Sequence, residues 1–397
     1  MFSHFLNRCA LHHYIRPMSS PSRPHFDSHC HLFNANFVIL EFGGILRDAI
    51  AGDYMRGPVD SDLSFPQALR AYRKDLDEWL EQTSKALVHG EKKNLQMLQQ
   101  ALRVTWQETD VRAIALTMDI YYMFADPVLA GERAVLHRRK ASGIVQWLLG
   151  LWGRKLPFYE TPGFAFQYRT MLSLQKQYPH ELYPFLAIDP RRPGMIEAVL
   201  AGTLVSHQGP FYGIKLYPRL GVHPQCADLW PLYAWCEARR IPITTHADQI
   251  GFPPPALEKL THMDQSDFGH PRHFVAILER HPDLVIDLAH FGMSNPQWAE
   301  QIAELIGDER LSGVYSDLAC YTTPEVIVEF RKRFWTRPRV AERTLLGTDY
   351  DVFYLVTLGI TIERYLENFS NTNVAEAFTQ EELMQMRSVN ARRFLGL

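Results

Sequence analysis

Eight short apolar runs punctuate the chain, and most of them end in polar residues. They are His25–Phe33, Val111–Asp119, Leu182–Asp189, Phe211–Tyr217, Ile241–Ala247, Leu284–His290, Gly313–Ala319 and Thr344–Asp349. Each is rich in Ile, Val, Leu, Phe or Tyr, as a strand buried on both faces should be. Between the later runs the pattern turns helical. Leu229–Arg239 carries an apolar stripe, Phe274–Glu279 stops at His281-Pro282, and Trp298–Ile306 ends near Gly307. Pro324 opens Glu325–Phe334, a position that suits proline in a first helical turn. Strands alternating with helices build a parallel sheet, and eight such units predict an α/β fold, a closed (β/α)8 TIM barrel. No internal repeat, low-complexity tract or linker divides it, so residues 26–397 read as one domain.

Two connections are too long for simple barrel loops, and both read as mostly helical. One spans about 34–110, with helical patterns at Pro66–Ala86 and Glu91–Val104; the other spans about 120–180. Both insertions follow the C-terminal end of a strand, the face on which barrel enzymes build their sites. They are expected to form a lid and specificity elements, with a stabilising helical cap as the plainer alternative.

Composition narrows the partners. The chain has 397 residues, 46% hydrophobic, and a formal net charge of −3. That charge implies no strongly basic face, so no nucleic-acid partner is expected. The longest apolar candidate, Gly143 to Trp152, falls well short of the roughly 20 residues needed to span a bilayer. Arg138-Arg139-Lys140 and Arg154-Lys155 flank it, and a lid helix is preferred over a surface-bound segment. The five cysteines, Cys9, Cys30, Cys226, Cys236 and Cys320, form no C-x-x-C pair, which suits a reduced, cytoplasmic protein. Residues 1–25 hold Arg8, Arg16 and Arg23 and no acid, so they read as a disordered leader, with a mitochondrial transit peptide as the alternative.

The first run contains Asp27-Ser28-His29-Cys30-His31. Residues two apart on a strand share a face, so Asp27, His29 and His31 point one way and Ser28 and Cys30 the other. Two imidazoles on one face can hold a divalent metal, although H-x-H alone is a weak signal. The other run ends strengthen it. They carry Lys215, His246, His290 and Asp349. In a barrel these ends converge on one rim, and a buried cluster of that kind without an ion would be unfavourable.

This ordered set resembles the amidohydrolase superfamily, in particular the amidohydrolase-2 (aminocarboxymuconate-semialdehyde decarboxylase-like) branch. The likeness runs from Phe26 to the end and includes Pro-Asp-Leu-Val-Ile-Asp-Leu-Ala-His-Phe-Gly at 282–292 and the closing Asn390-Ala391-Arg392-Arg393-Phe394-Leu395-Gly396-Leu397. The resemblance implies that His29, His31, His246 and Asp349 bind a first metal, zinc being the expected ion. It implies that Asp349 also acts as general base, and that His290 is a second-metal ligand or a polarising acid/base. Lys215 stays open. In binuclear relatives the strand-four lysine is carboxylated and bridges two metals; otherwise it is neutral or turned toward substrate. One essential ion is the preferred reading, with Lys215 in the site either way.

Weaker candidates complete the expected site. Tyr217 and Arg219 follow strand four and suit a substrate carboxylate. Asp119 and Tyr121 end strand two and could face the pocket. Asp248 is read as support for His246, Asp317 as a brace of the rim, and Cys30 as a packed thiol. Asp351 is the competitor of Asp349, while His223, His262, His270 and His273 are set aside as structural. The expected activity is hydrolysis of small amides, lactones or related carboxylated compounds by a metal-activated water. A decarboxylase of the same superfamily is the first alternative. A Schiff-base lyase using Lys215 and a catalytically dead binding protein rank lower. A homodimer, the commonest assembly for such enzymes, is the default expectation.

Overall fold

The computed structural model describes residues 23–32, 90–123, 125–135, 161–251, 265–321, 323–350, 366–367 and 378–397. All eight predicted strands form. They are β1 His25–Cys30, β2 Val111–Leu116, β3 Leu182–Ala187, β4 Gly213–Leu216, β5 Ile243–His246, β6 Ile286–Ala289, β7 Val314–Asp317 and β8 Thr344–Leu345. They pair in chain order, every pair parallel. The apolar runs outlast the ladders because their polar ends leave the sheet to reach the rim. β8 pairs with β7 over two residues, and the chain then crosses to β1. There the Ser28 amide donates to Leu346 O at 2.9 Å, the Asp349 amide to His29 O at 2.7 Å and the His31 amide to Tyr350 O at 3.1 Å. These bonds close the barrel, the (β/α)8 architecture expected from the sequence.

Helices flank the strands as the periodicity predicts: Trp230–Arg239, Arg272–Arg280, Pro296–Gly307 and Pro324–Phe330. Asn295 caps Pro296–Gly307 by accepting from the Gln297 amide at 2.9 Å, and Pro296 fills the first turn, where no N–H is needed. The helix that opens at Pro324 continues through Trp335 as a wider turn. Glu91–Trp106 and Pro162–Gln177 lie inside the two predicted insertions. The Gln167 side chain accepts from the Met118 amide at 3.0 Å and ties the second of them to the end of β2. The patterns at Pro66–Ala86 and Gly143–Trp152, and leader residues 1–22, lie outside the described residues.

Apolar side chains fill two regions. The larger core, from Cys30 to Met386, includes Leu186, Ile214 and Leu288 with buried residues of the surrounding helices. The smaller one closes the bottom of the barrel: Phe26, Ile114, Phe185 and Tyr315 meet Ala391, Phe394 and Leu395 of the last helix, Ala391–Leu395. With one end plugged, the polar strand ends face each other at the opposite mouth. Among the described residues, no helix is long and apolar enough to cross a membrane.

Candidate metal centre

Two imidazoles from β1 and the turn just beyond it open the pocket, and their far sides are fixed. His29 Nδ1 lies 2.6 Å from Asp317 Oδ2, and His31 Nδ1 lies 2.8 Å from Leu116 O. Both partners are acceptors, so each Nδ1 carries the proton. Burial holds both imidazoles below their ordinary pKa, and they are therefore neutral. His29 Nε2 is then a bare lone pair, and both imidazoles present Nε2 toward the carboxylate of Asp349. Both face the same atom, Asp349 Oδ1, at 3.6 Å from His29 and 3.4 Å from His31.

Burial pushes the Asp349 carboxyl up, but the surrounding His29, His31 and His290 more than offset it, and the group stays ionised. Three acceptors thus converge out of water. His29 Nε2 and Asp349 Oδ1 are buried and make no hydrogen bond. A bare imidazole nitrogen against a bare carboxylate oxygen is unfavourable unless a cation lies between them, and imidazole nitrogen with carboxylate oxygen is a donor set that divalent ions accept. The residues present fit a divalent metal.

His290 joins them from the turn after β6. Its backbone is left-handed, φ 70°, as is that of Phe291, φ 49°. The His290 amide donates to Asp317 Oδ1 at 2.9 Å, and its ring stands 4.9 Å from that of His29. Gly292 follows at φ 61°, where a Cβ would come within 2.7 Å of the Ala299 amide nitrogen, so the tight turn requires glycine. Among the described residues two groups have donor atoms close enough to share one ion: His29, His290 and Asp349, and His29, Asp287 and Asp317.

His31 belongs to neither group, and nor does His246. Its Nε2 lies 2.8 Å from Ile250 O, its Nδ1 makes no hydrogen bond, and Tyr217 stacks on its ring at 4.5 Å. Asp248 holds the loop that supplies Ile250 O: it accepts from the amides of Ile250 at 2.8 Å and Ser294 at 3.0 Å. Lys215 is buried on β4, its Nζ without a hydrogen bond. Burial pulls its pKa down, against the pull of Asp349, Asp317 and Asp287. A cavity of about 20 Å³, room for one water, lies against Lys215, Tyr217, Asp119 and Asp189.

The remaining expected residues take other partners. Asp119 is gripped from two sides by Arg192, at 2.7 Å through both Nε and Nη2. Tyr121 is buried against Tyr122, 4.9 Å between ring centres. Arg219 is buried and contacts Gln249 O through Nη1. Asp27 accepts from the amide and hydroxyl of Thr348, at 2.9 and 2.5 Å, and so holds the residue before Asp349. The Cys30 thiol turns away and donates to Ile114 O at 3.4 Å. His223 and His273 form a separate chain, in which His223 Nε2 lies 3.2 Å from His273 Nδ1 and His273 Nε2 lies 3.1 Å from Asp267.

Two residues at the centre escape the sequence reading. Asp287 sits within β6, one strand beyond Thr244 from Lys215 in the same register row, where burial and Asp317 push its carboxyl well up. Its signal was an acid inside an otherwise apolar run. The Cys320 thiol donates to Asp349 Oδ2 at 2.9 Å, and nothing in the spacing of Cys320 announces that contact.

Comparison with known proteins agrees with this architecture. No curated protein matches the chain. Among solved structures, a 5-carboxyvanillate decarboxylase from Novosphingobium aromaticivorans, with bound manganese and 3-methoxy-4-hydroxy-5-nitrobenzoic acid, is similar at 14% identity and a TM-score of 0.56, covering 94% of this chain and 97% of that one. A 5-carboxyvanillate decarboxylase from Sphingomonas paucimobilis is similar at 12% identity and a TM-score of 0.52, covering 95% and 100%. A 2,6-dihydroxybenzoate decarboxylase from Rhizobium is similar at 11% identity and a TM-score of 0.51, covering 94% and 99%. At such identities these structures share the fold. The family model described as amidohydrolase matches residues 159–397, more than half of the chain. The chain belongs to the amidohydrolase family.

Proposed function

We propose that this protein is a metal-dependent hydrolase of small amides, lactones or related carboxylated compounds. The observation behind the proposal is the buried approach of His29 Nε2 and Asp349 Oδ1, neither of which makes a hydrogen bond, with His31 Nε2 3.4 Å from the same oxygen. In this reading these three residues hold one divalent ion, zinc by preference, and His246 offers Nδ1 to the same centre. The ion would supply Lewis acidity, lowering the pKa of water and polarising a carbonyl. Asp349, kept ionised, takes the proton of the attacking water and passes it to the leaving group. His290 and Lys215 face the carbonyl oxygen, with Lys215 as a buried amine beside the ion rather than a bridge to a second one. Tyr217 and Arg219 orient the substrate, and Asp119 and Tyr121 shape the wall behind it. A cytoplasmic homodimer is the working form.

Metal-assisted decarboxylation is the second reading. What favours it is that the three solved structures named above are decarboxylases of hydroxylated aromatic acids, one of them with manganese. Carbon–carbon cleavage calls for a proton delivered to carbon, and in this reading His290 delivers it.

One experiment tests both. The purified protein is analysed for metal, stripped with chelator, reloaded with Zn2+ or Mn2+, and assayed on lactones, amides and hydroxybenzoates. Activity lost on stripping and restored on reloading is expected, with acid release marking hydrolysis and carbon dioxide marking decarboxylation. Full activity in chelator at near-zero bound metal would sink the proposal.

A further inference from the structure

The end of β7 and the turn after it touch three residues of the proposed centre. Asp317 takes His29 Nδ1 on Oδ2 and the His290 amide on Oδ1. Three residues later the Cys320 thiol donates to Asp349 Oδ2. One oxygen of Asp349 is thus held by sulfur. The other, Oδ1, is buried, makes no hydrogen bond and faces both β1-side imidazoles.

The backbone at both ends of this contact is unusual. Cys320 has φ 65° and Asp349 has φ 51°, left-handed values that residues with side chains keep only where their surroundings impose them. At Cys320 this conformation accompanies the placement of sulfur on the carboxylate. The thiol is the donor in this contact, 2.9 Å from the carboxylate oxygen. A carboxylate has two equivalent oxygens and a soft terminal torsion. With no donor on Oδ2, either oxygen can face the histidines, or the group can turn between them.

We propose that Cys320 is a positioning residue: its thiol selects which oxygen of Asp349 faces His29 and His31, and thereby sets the affinity of the centre for a divalent ion. This inference rests on the metal-centre reading above. Groups that orient metal ligands from behind typically change affinity by about 10–100-fold when removed.

The test compares wild type with Cys320→Ser, which keeps a donor, and Cys320→Ala, which removes it. Each protein is stripped, and its Mn2+ and Zn2+ affinities are measured by competition with a chromogenic chelator, with thermal melting of the metal-free forms alongside. The alanine variant is expected to bind about 10-fold more weakly or worse, and the serine variant to stay near wild type. The absorption spectrum of the cobalt(II) form should shift in the alanine variant and be restored by serine. Wild-type affinity in a folded Cys320→Ala overturns the proposal. If the alanine variant does not fold, the serine variant decides alone: near-wild-type affinity supports the donor role, and a tenfold loss in a folded protein overturns it. Absence of metal binding by wild type is a different result, because it removes the metal centre and this inference with it.

Discussion

His29 and Asp317 meet through Nδ1 and Oδ2 at 2.6 Å, and neither side chain reaches solvent. The contact selects the tautomer that leaves Nε2 bare toward Asp349. Burial pushes the Asp317 carboxyl up, but His29 and His290 hold it far below the ordinary range, so it is a permanent acceptor.

Asp317→Asn should therefore weaken divalent-ion binding by about 10–100-fold, because an amide has no charge and can donate back to the ring. Titration of the stripped variant against a chromogenic chelator measures this. An affinity equal to wild type would mean that the tautomer is set by something else.

Metal should stabilise the folded protein by mass action. At an ion concentration 100 times its Kd, the gain is about 2.7 kcal/mol. Calorimetric scans with and without Zn2+ should differ in wild type and agree in His29→Ala. An equal shift in both proteins would place the ion elsewhere.

The Arg192–Asp119 pair separates packing from substrate binding. Arg192→Met leaves a buried carboxylate without its partner and should cost roughly 3–5 kcal/mol in urea unfolding. Combining it with Asp119→Leu should recover most of that loss. A stable double variant whose KM rises would assign Asp119 to the substrate, and an unchanged KM would leave it as framework.

His223 predicts an acid-sensitive segment. Burial and His273 bring its pKa down to about 4, against 6.5 when exposed. Between those values the unfolded chain binds a proton that the native protein does not, so stability falls as pH drops from about 6.5 to 4 and levels off below. His223→Gln cannot titrate and should flatten that part of the melting-temperature profile relative to wild type. Two parallel profiles would exclude His223 as the source.

Gly347, two residues beyond β8, packs directly against β1. A Cβ there would lie 2.5 Å from His29 Cβ. Gly347→Ala should cost roughly 1–3 kcal/mol through overpacking and should lower ion affinity as well, since it displaces a proposed ligand. Melting and chelator competition on the same sample check the two together.

These residues also mark how far sequence alone carries. The eight strands are legible because a parallel barrel buries both faces of each strand, leaving runs such as Leu182–Asp189 nearly free of polar residues before their ends. His29 and His31 are legible from strand alternation, and Asp349 from its place behind Gly347-Thr348. Its rival Asp351 lies outside the described residues. Partnerships between distant segments are not legible. Asp119 meets an arginine 73 positions away, and His29 meets an acid 288 positions away. Nor does spacing reveal that Ile250 O occupies His246 Nε2, because that contact depends on the path of a loop. Cys320 is the extreme case: its whole interest lies in one contact made in three dimensions.

The seam between β1 and β8 has a further consequence, for biogenesis. Asp27 and Thr348 are 321 positions apart, yet their bonds help shut the barrel and frame the pocket. A chain still leaving the ribosome carries His29 and His31 early, but no pocket in which to use them. Segments emerge from the N-terminus first, so the proposed centre waits on Thr348, 321 positions behind Asp27. A truncated product that stops before Asp349 then lacks the proposed centre altogether, and a cell making such fragments should lose no metal to them through it.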